Sequence, residues 1–153
     1  MFYLLTEILL EMTPKTIPVL KLQEDAVLPH KDDGDAGWDL HSTEDIKCPS
    51  QDAVLVSTGI AMEIPENHVG LLWDRSGMAS KKKFHRMAGV IDSSYRGEIK
   101  VLLQNNSHFT QYIAAGDKIA QILIQEVPEF EMKEVKELNE TKRGDGGFGS
   151  TGE

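Results

Sequence analysis

Five segments of this 153-residue chain carry side chains able to do chemistry. Gly89 to Glu98 (GVIDSSYRGE) sets a carboxylate, Asp92, and an aromatic, Tyr95, between two short apolar runs. Asp92 is a candidate general base or metal-associated carboxylate, and Tyr95 a candidate pocket wall. The plain alternative is a β-hairpin in which the Asp caps the turn and the Tyr packs on the sheet. Asp74-Arg75-Ser76-Gly77 follows the apolar run 69–73. A guanidinium, a hydroxyl and exposed helix N–H groups suit a phosphate; the alternative is an ordinary N-cap with a surface arginine. Ala36 to Leu40 (AGWDL) places Asp39 between apolar residues, and Gly116 to Gln121 (GDKIAQ) begins with a turn and enters a strand. The Gln121 amide can orient a water or a phosphate. The fifth segment, RGDGGFGSTG at 143–152, is half glycine. Glycine loses more backbone freedom on ordering than any other residue. Such a segment either stays unordered or orders around a ligand.

Gly144, Gly146 and Gly149 satisfy the spacing G-x-G-x-x-G. That fingerprint binds dinucleotides only when it follows a strand and opens a helix, and here the chain ends at Glu153. No lysine stands where a P-loop needs one. The physical ingredients still fit an anion. Closely spaced glycines let backbone N–H groups converge, Ser150 and Thr151 add hydroxyls, Arg143 can grip a phosphate bidentately, and Phe148 offers a flat apolar face. The five histidines are scattered away from Cys48, so the pattern argues against structural zinc. Asp39, Asp92 and a bound triphosphate could instead hold Mg2+ through oxygen ligands and waters.

These residues need elements to hold them. Runs rich in Val, Ile and Leu predict strands over 16–22, 53–64, 69–73, 97–103, 109–113 and 118–127. Only 76–83 reads as a helix, too little for a βαβ repeat. The expected fold is all-β, a compact antiparallel sandwich or jelly-roll-like barrel. Beyond Val127 the pattern fades into a charged arm, 128–142, carrying the glycine-rich tail, 143–153. The net charge of −9 argues against general nucleic-acid binding but allows a local cationic pocket. A single cysteine excludes an internal disulfide framework and fits a reducing compartment. The apolar start, MFYLLTEILLEM, is interrupted by Glu7, lacks a basic flank and is too short for a membrane span; it suggests no targeting signal.

Read together and in order, AGWDL, RSGMA, GVIDSSYRGE, GDKIAQ and RGDGGFGSTG resemble the five motifs of the trimeric dUTP pyrophosphatases. The resemblance implies a jelly-roll-like distorted β-barrel, a homotrimer with active sites shared between subunits, and Mg2+-assisted hydrolysis of dUTP to dUMP and pyrophosphate. It implies that Asp92 orients and deprotonates the attacking water. Tyr95 would pack under deoxyribose and exclude a ribose 2′-hydroxyl. The backbone of Gly89, Val90, Ile91 and the residues up to Tyr95 would read uracil. Arg75, Ser76 and Gly77 would bind phosphate, and Gln121 would serve the α-phosphate or the water shell of the metal. Asp39 would support the metal indirectly, through water. Arg143, Phe148, Gly149, Ser150 and Thr151 would form a closing lid, with Phe148 over uracil. No membrane partner and no stable nucleic-acid partner are implied. The setting would be cytoplasmic, or nuclear or host-cell interior for a eukaryotic or viral source. Three positions depart from the family pattern: Asp74 replaces the usual proline, 80–88 is unusually basic, and Trp38 replaces Phe or Tyr. The rival enzyme on a related fold is a dCTP deaminase using Glu98 as proton shuttle. The rival of another class is a non-catalytic regulatory protein on the same fold.

Overall fold

The computed structural model describes residues 16–146. Within them the strands are β1 (Val19–Lys21), β2 (Trp38–His41), β3 (Ile46–Cys48), β4 (Ala53–Ser57), β5 (Ile60–Met62) and β6 (His68–Trp73). One short helix, α1 (Ser76–Ser80), follows. Then come β7 (Phe84–Met87), β8 (Val90–Ile91), β9 (Lys100–Asn105), β10 (Gln111–Ile113) and β11 (Lys118–Glu126). They form sheets ordered β2-β11-β6-β8, β4-β9-β7, β1-β5 and β10-β3. Every pairing between these strands is antiparallel. The expected all-β, jelly-roll-like architecture is the one observed. No helix among the described residues is long and apolar enough to cross a membrane.

The core follows from strand periodicity. Along β9, Val101 and Leu103 turn inward with Asn105, while Lys100, Leu102 and Gln104 alternate outward. Val56, Phe84, Ile113 and Ile122 close on them from other strands. Burying Phe84, 1% exposed, is worth about 2–3 kcal/mol. Asn105 is the polar residue of β9 that turns inward, with no exposed surface. Its amide donates to the carbonyls of Cys48 (3.1 Å), Pro49 (2.8 Å) and Phe109 (2.9 Å), and its oxygen accepts from Ser107 N (3.0 Å). One buried side chain thus ties the start of the turn after β9 to the end of β3.

The structure corrects several boundaries. The single run expected over 53–64 breaks at Gly59, whose φ of 66° suits glycine. A Cβ there would come within 2.8 Å of the Ala26 Cβ. The chain turns this corner to pass from the sheet of β9 to the sheet of β1. The helix stops at Ser80, short of Lys83, because Phe84 must enter the core as a strand beside Asn105. The expected β-hairpin over 89–98 is not one: β8 pairs with β6, whereas Lys100 onward joins β4 and β7. That segment is a loop bridging two sheets, turned by a bond from Tyr95 N to Asp92 O (3.1 Å). β2, β3, β7 and β8 were not among the expected strands. They are short, and in β7 (FHRM) only Phe84 is buried, so the alternation has nothing to repeat.

Candidate active site

Two groups of predicted residues are assembled, each by strand register. The first lies across the sheet β2-β11-β6. Gln121 on β11 stands opposite Asp39 on one side and Trp73 on the other, so the three share a row. Alternation puts Arg75, two residues beyond Trp73, on the same side. Its Nε lies 2.7 Å from Asp39 Oδ1, an ion pair. Lys118 Nζ reaches Asp39 Oδ2 at 2.8 Å. Each carboxylate oxygen therefore has one cation beside it. Gln121 Nε2 donates to the carbonyl of Asp74 at 2.9 Å. Its Oε1 lies 2.7 Å, and Leu123 Cδ1 2.9 Å, from where a Cβ on residue 37 would sit, so Gly37 lets both side chains pack against its backbone. Ser76 and Gly77 are exposed at the start of α1, directly after Arg75.

His41 follows Asp39 on the same side of β2. Burial lowers its pKa below the usual 6.5; Asp39 pulls it up, while Lys118 and Arg75 push it down. The imidazole is neutral at pH 7 and adds no charge to the cluster of Asp39, Arg75 and Lys118.

The second group surrounds Asp92. A cleft of about 340 Å³ is lined by Leu55, Val90, Ile91, Asp92, Tyr95 and, at its rim, Glu98 and Lys100. That volume suits a small organic ligand. Val90 is 68% exposed, an apolar side chain presented to solvent at the mouth. The Tyr95 ring folds over Gly97, where a Cβ would lie 2.6 Å from Tyr95 Cζ. Tyr95 Oη donates to the Glu98 carbonyl at 3.0 Å, which fixes the ring as a plate. Gly89, with φ of 114°, sends its carbonyl to Leu72 N at 2.8 Å and anchors the loop to β6. Arg96 Nη1 braces the turn from below through the carbonyls of Ser93 (2.6 Å) and Tyr95 (2.9 Å).

Glu98 is not a free acid. Burial pushes its pKa up, but hydrogen bonds from Ser57, Gly59 N and Lys100 outweigh that and hold it below 4.5. A carboxylate so committed is ionised and engaged at both oxygens. It is poorly placed to shuttle protons at a base.

The two groups do not meet within one chain. Ile91 stands opposite Gly70, so Asp92 continues β8 toward the start of β6, while Arg75 lies beyond its other end. At ~3.3 Å per residue, the separation along β6 is up to about 20 Å. Arg75, Ser76 and Gln121 do not line the Asp92 cleft. Arg143 sits with neither group; its Nε donates to Gly146 O at 2.9 Å within its own turn. Phe148, Gly149, Ser150 and Thr151 lie outside the described residues.

Sequence reasoning missed Lys118 and Gly97. Lys118 belongs to the quoted GDKIAQ segment, but its side follows from a register shift between Lys118 and Ala120, which short-range patterning does not reveal. Gly97 matters only through the fold of the Tyr95 ring.

The profile of the family described as dUTPase matches residues 23–152. The chain belongs to the dUTPase family. It hydrolyses dUTP to dUMP and pyrophosphate. The deoxyuridine 5′-triphosphate nucleotidohydrolase of Clostridium tetani is 45% identical over 145 residues, covering 92% of this chain and 99% of that one. The enzyme of Paramecium bursaria Chlorella virus 1 is 43% identical over 135 residues, covering 88% and 96%. Among solved structures, the dUTPase of Staphylococcus bacteriophage 80alpha with dUPNHPP superposes with a TM-score of 0.84 at 29% identity, covering 91% of this chain and 99% of that one. A variant dUTPase from phage phi11 of S. aureus, whose structure details coordination of a structural Mg(II) ion, gives 0.77 at 30% identity, covering 82% and 100%.

Proposed function

We propose that this enzyme works as a homotrimer in which the Asp92 cleft of one subunit and the Asp39–Arg75–Gln121 row of another form a single active site. The observation that carries this reading is the register of β6, which holds the two halves at opposite ends of one strand. A base bound beside Tyr95 could not extend its α-phosphate to Asp92 and its remaining phosphates to Arg75 of the same chain without crossing that strand. The arm 128–142 supports the same reading: Phe130 (76% exposed), Met132 (93%) and Leu138 (84%) lie uncovered on their own chain and suit a neighbouring subunit. In this arrangement the tail 143–153 closes over a neighbour's site.

The reaction then divides by residue. The backbone of Gly89 to Tyr95 reads the edge of uracil, and the Tyr95 plate packs against deoxyribose where a 2′-hydroxyl would collide. Water attacks the α-phosphorus: a new O–P bond forms, the bond to the bridging oxygen of pyrophosphate breaks, and Asp92 accepts the water proton. Arg75, Ser76, Gly77 and the remaining donor of Gln121 hold phosphate oxygens, with Arg143, Gly149, Ser150 and Thr151 completing the clasp and Phe148 covering the base. The residues fit Mg2+ carried mainly by the triphosphate. Among the described residues no three His, Cys, Asp or Glu side chains converge into a metal cage. Asp39, paired with Arg75 and Lys118, keeps lone pairs that suit a hydrogen bond from a metal-bound water. When bound, the ion would neutralise charge developing on the phosphate oxygens. The net charge of −9 leaves nucleic acid out of the partners, and the buried lone Cys48 suits the reducing interior of a cell.

Mixing two inactive variants tests the shared site. Asp92→Asn and Arg75→Ala trimers, unfolded together and reassembled, should regain pyrophosphate release at about a quarter of the sites, the statistical share with both wild-type contributions. A mixture no more active than its parents would refute sharing between these two halves.

A further inference from the structure

Asp74 is the residue of the phosphate turn that the reaction above leaves without a role. Its side chain points away from Arg75, toward β7. Oδ1 accepts from the backbone N–H of Arg86 at 2.7 Å, and Oδ2 lies 2.6 Å from His85 Nδ1. The carboxylate thus spans the first turn of strand after α1 and ties the end of β6 to β7. The same residue's carbonyl accepts the Gln121 amide at 2.9 Å. A second contact reinforces the tie: the Arg86 guanidinium lies over the Trp73 ring, 5.3 Å from its centroid. Among the described residues Arg86 Nε has no hydrogen-bond partner, so the ring face is what that edge of the group gains.

We propose that Asp74 is a positioning residue for Gln121: its side chain clasps β7 so that its own carbonyl holds the Gln121 amide in the orientation the reaction uses. The geometry explains why a carboxylate can stand beside a phosphate-binding arginine. Both its oxygens are occupied on the far side of the backbone, and alternation keeps it off the Arg75 face. A proline at this place would fix the backbone through its ring. Asp74 fixes it through two hydrogen bonds, and without them the carbonyl is free to rotate away from Gln121. Gln121 then loses the acceptor that orders its amide, and an error of about 1 Å in such a group can cost up to 100-fold in rate.

The inference rests on the role given to Gln121 above, and the test separates the two. Steady-state dUTP hydrolysis is measured for Asp74→Ala, Gln121→Ala and the double variant, with Asp74→Asn and Asp74→Pro as rescues. Expected are a fall in kcat of about tenfold for Asp74→Ala with KM changed less than threefold, and no further loss when Asp74→Ala is added to Gln121→Ala. Asp74→Asn, which keeps the acceptor for Arg86 N–H, and Asp74→Pro, which fixes the turn by its ring, should each restore kcat to within about threefold of the parent. Additive losses in the double variant would overturn the inference, as would an Asp74→Ala enzyme of parental kcat beside a slow Gln121→Ala. If Gln121→Ala itself is unimpaired, the role given to Gln121 falls first. Should Asp74→Ala fail to fold, His85→Ala removes only the Oδ2 partner from a side chain 59% exposed. It should then lower kcat about threefold, again without effect in the Gln121→Ala background; an additive effect would overturn the inference.

Discussion

At the scale of the residue, the sugar pocket proposed at Tyr95 depends on a missing atom. Tyr95 lies flat because Gly97 has no Cβ, and its hydroxyl is tied down by the Glu98 carbonyl. Replacing Gly97 by Ala would lift the ring from its bed without touching the core, since Tyr95 is itself 44% exposed. The expected outcome is a KM for dUTP raised about tenfold and a narrowed preference for dUTP over UTP. The comparison of kcat/KM for the two nucleotides checks this, and an unchanged ratio would remove Tyr95 from sugar selection. A sequence reader can find Tyr95 and still overlook Gly97, because a glycine two residues from a chemical group has no chemistry of its own to attract notice.

Elements decide which side chains face one another. Asp39 and Gln121 are direct partners across β2 and β11, and His41 shares the side of Asp39. Lys118 stands three residues before Gln121, an odd step that in a regular strand would face it the other way. The bulge between Lys118 and Ala120 inserts one residue, restores the side, and buries both Ile119 and Ala120 completely. Lys118 therefore reaches Asp39 as a consequence of packing. Lys118→Met keeps the apolar stem but removes the charge that holds Asp39 Oδ2. It should lower kcat/KM for dUTP about tenfold, with Lys118→Arg recovering most of the loss. A Lys118→Met enzyme of parental efficiency would make the ion pair a surface ornament. The charged residues of GDKIAQ were legible; their direction was not.

The whole molecule responds to pH through carboxylates that serve the fold. In Asp117, burial pushes the pKa up, but bonds from Ala114 N and Lys82 outweigh it and hold the group below 3.8, as their counterparts hold Glu98 below 4.5. A carboxyl whose pKa is lower folded than unfolded stabilises the protein above its unfolded value, and that contribution is lost as pH falls toward the folded one. The free energy of unfolding should therefore hold near neutral pH and decline below about pH 4.5, measured by denaturant titration across the acid range. Replacing the titrating carboxyls at both sites by amides, with Glu98→Gln and Asp117→Asn, should flatten that decline. A decline of the same slope in the double variant would assign it to other groups. At the alkaline side burial raises the Cys48 thiol above its usual 9.0, with Asp52 adding to the shift, so folding also guards this thiol from deprotonation.

The amino-acid sequence by itself determined the family and the reaction, and it named the residue types of the candidate site. Five segments with defined chemistry in a fixed order are a one-dimensional property, and strand-forming runs with a single short helix among them are enough for an all-β fold. Direction, distance and separation belonged to the tertiary structure. Whether Asp92 begins a hairpin or a bridge between sheets depends on which strand pairs with β8, a long-range choice that local alternation does not encode. Asp74 looked like an unwanted charge beside a phosphate until the turn of the backbone sent it to β7. The same strand, β6, brings Gln121 to Arg75 and keeps Asp92 away from both, because antiparallel register fixes positions along a strand that sequence spacing alone leaves free.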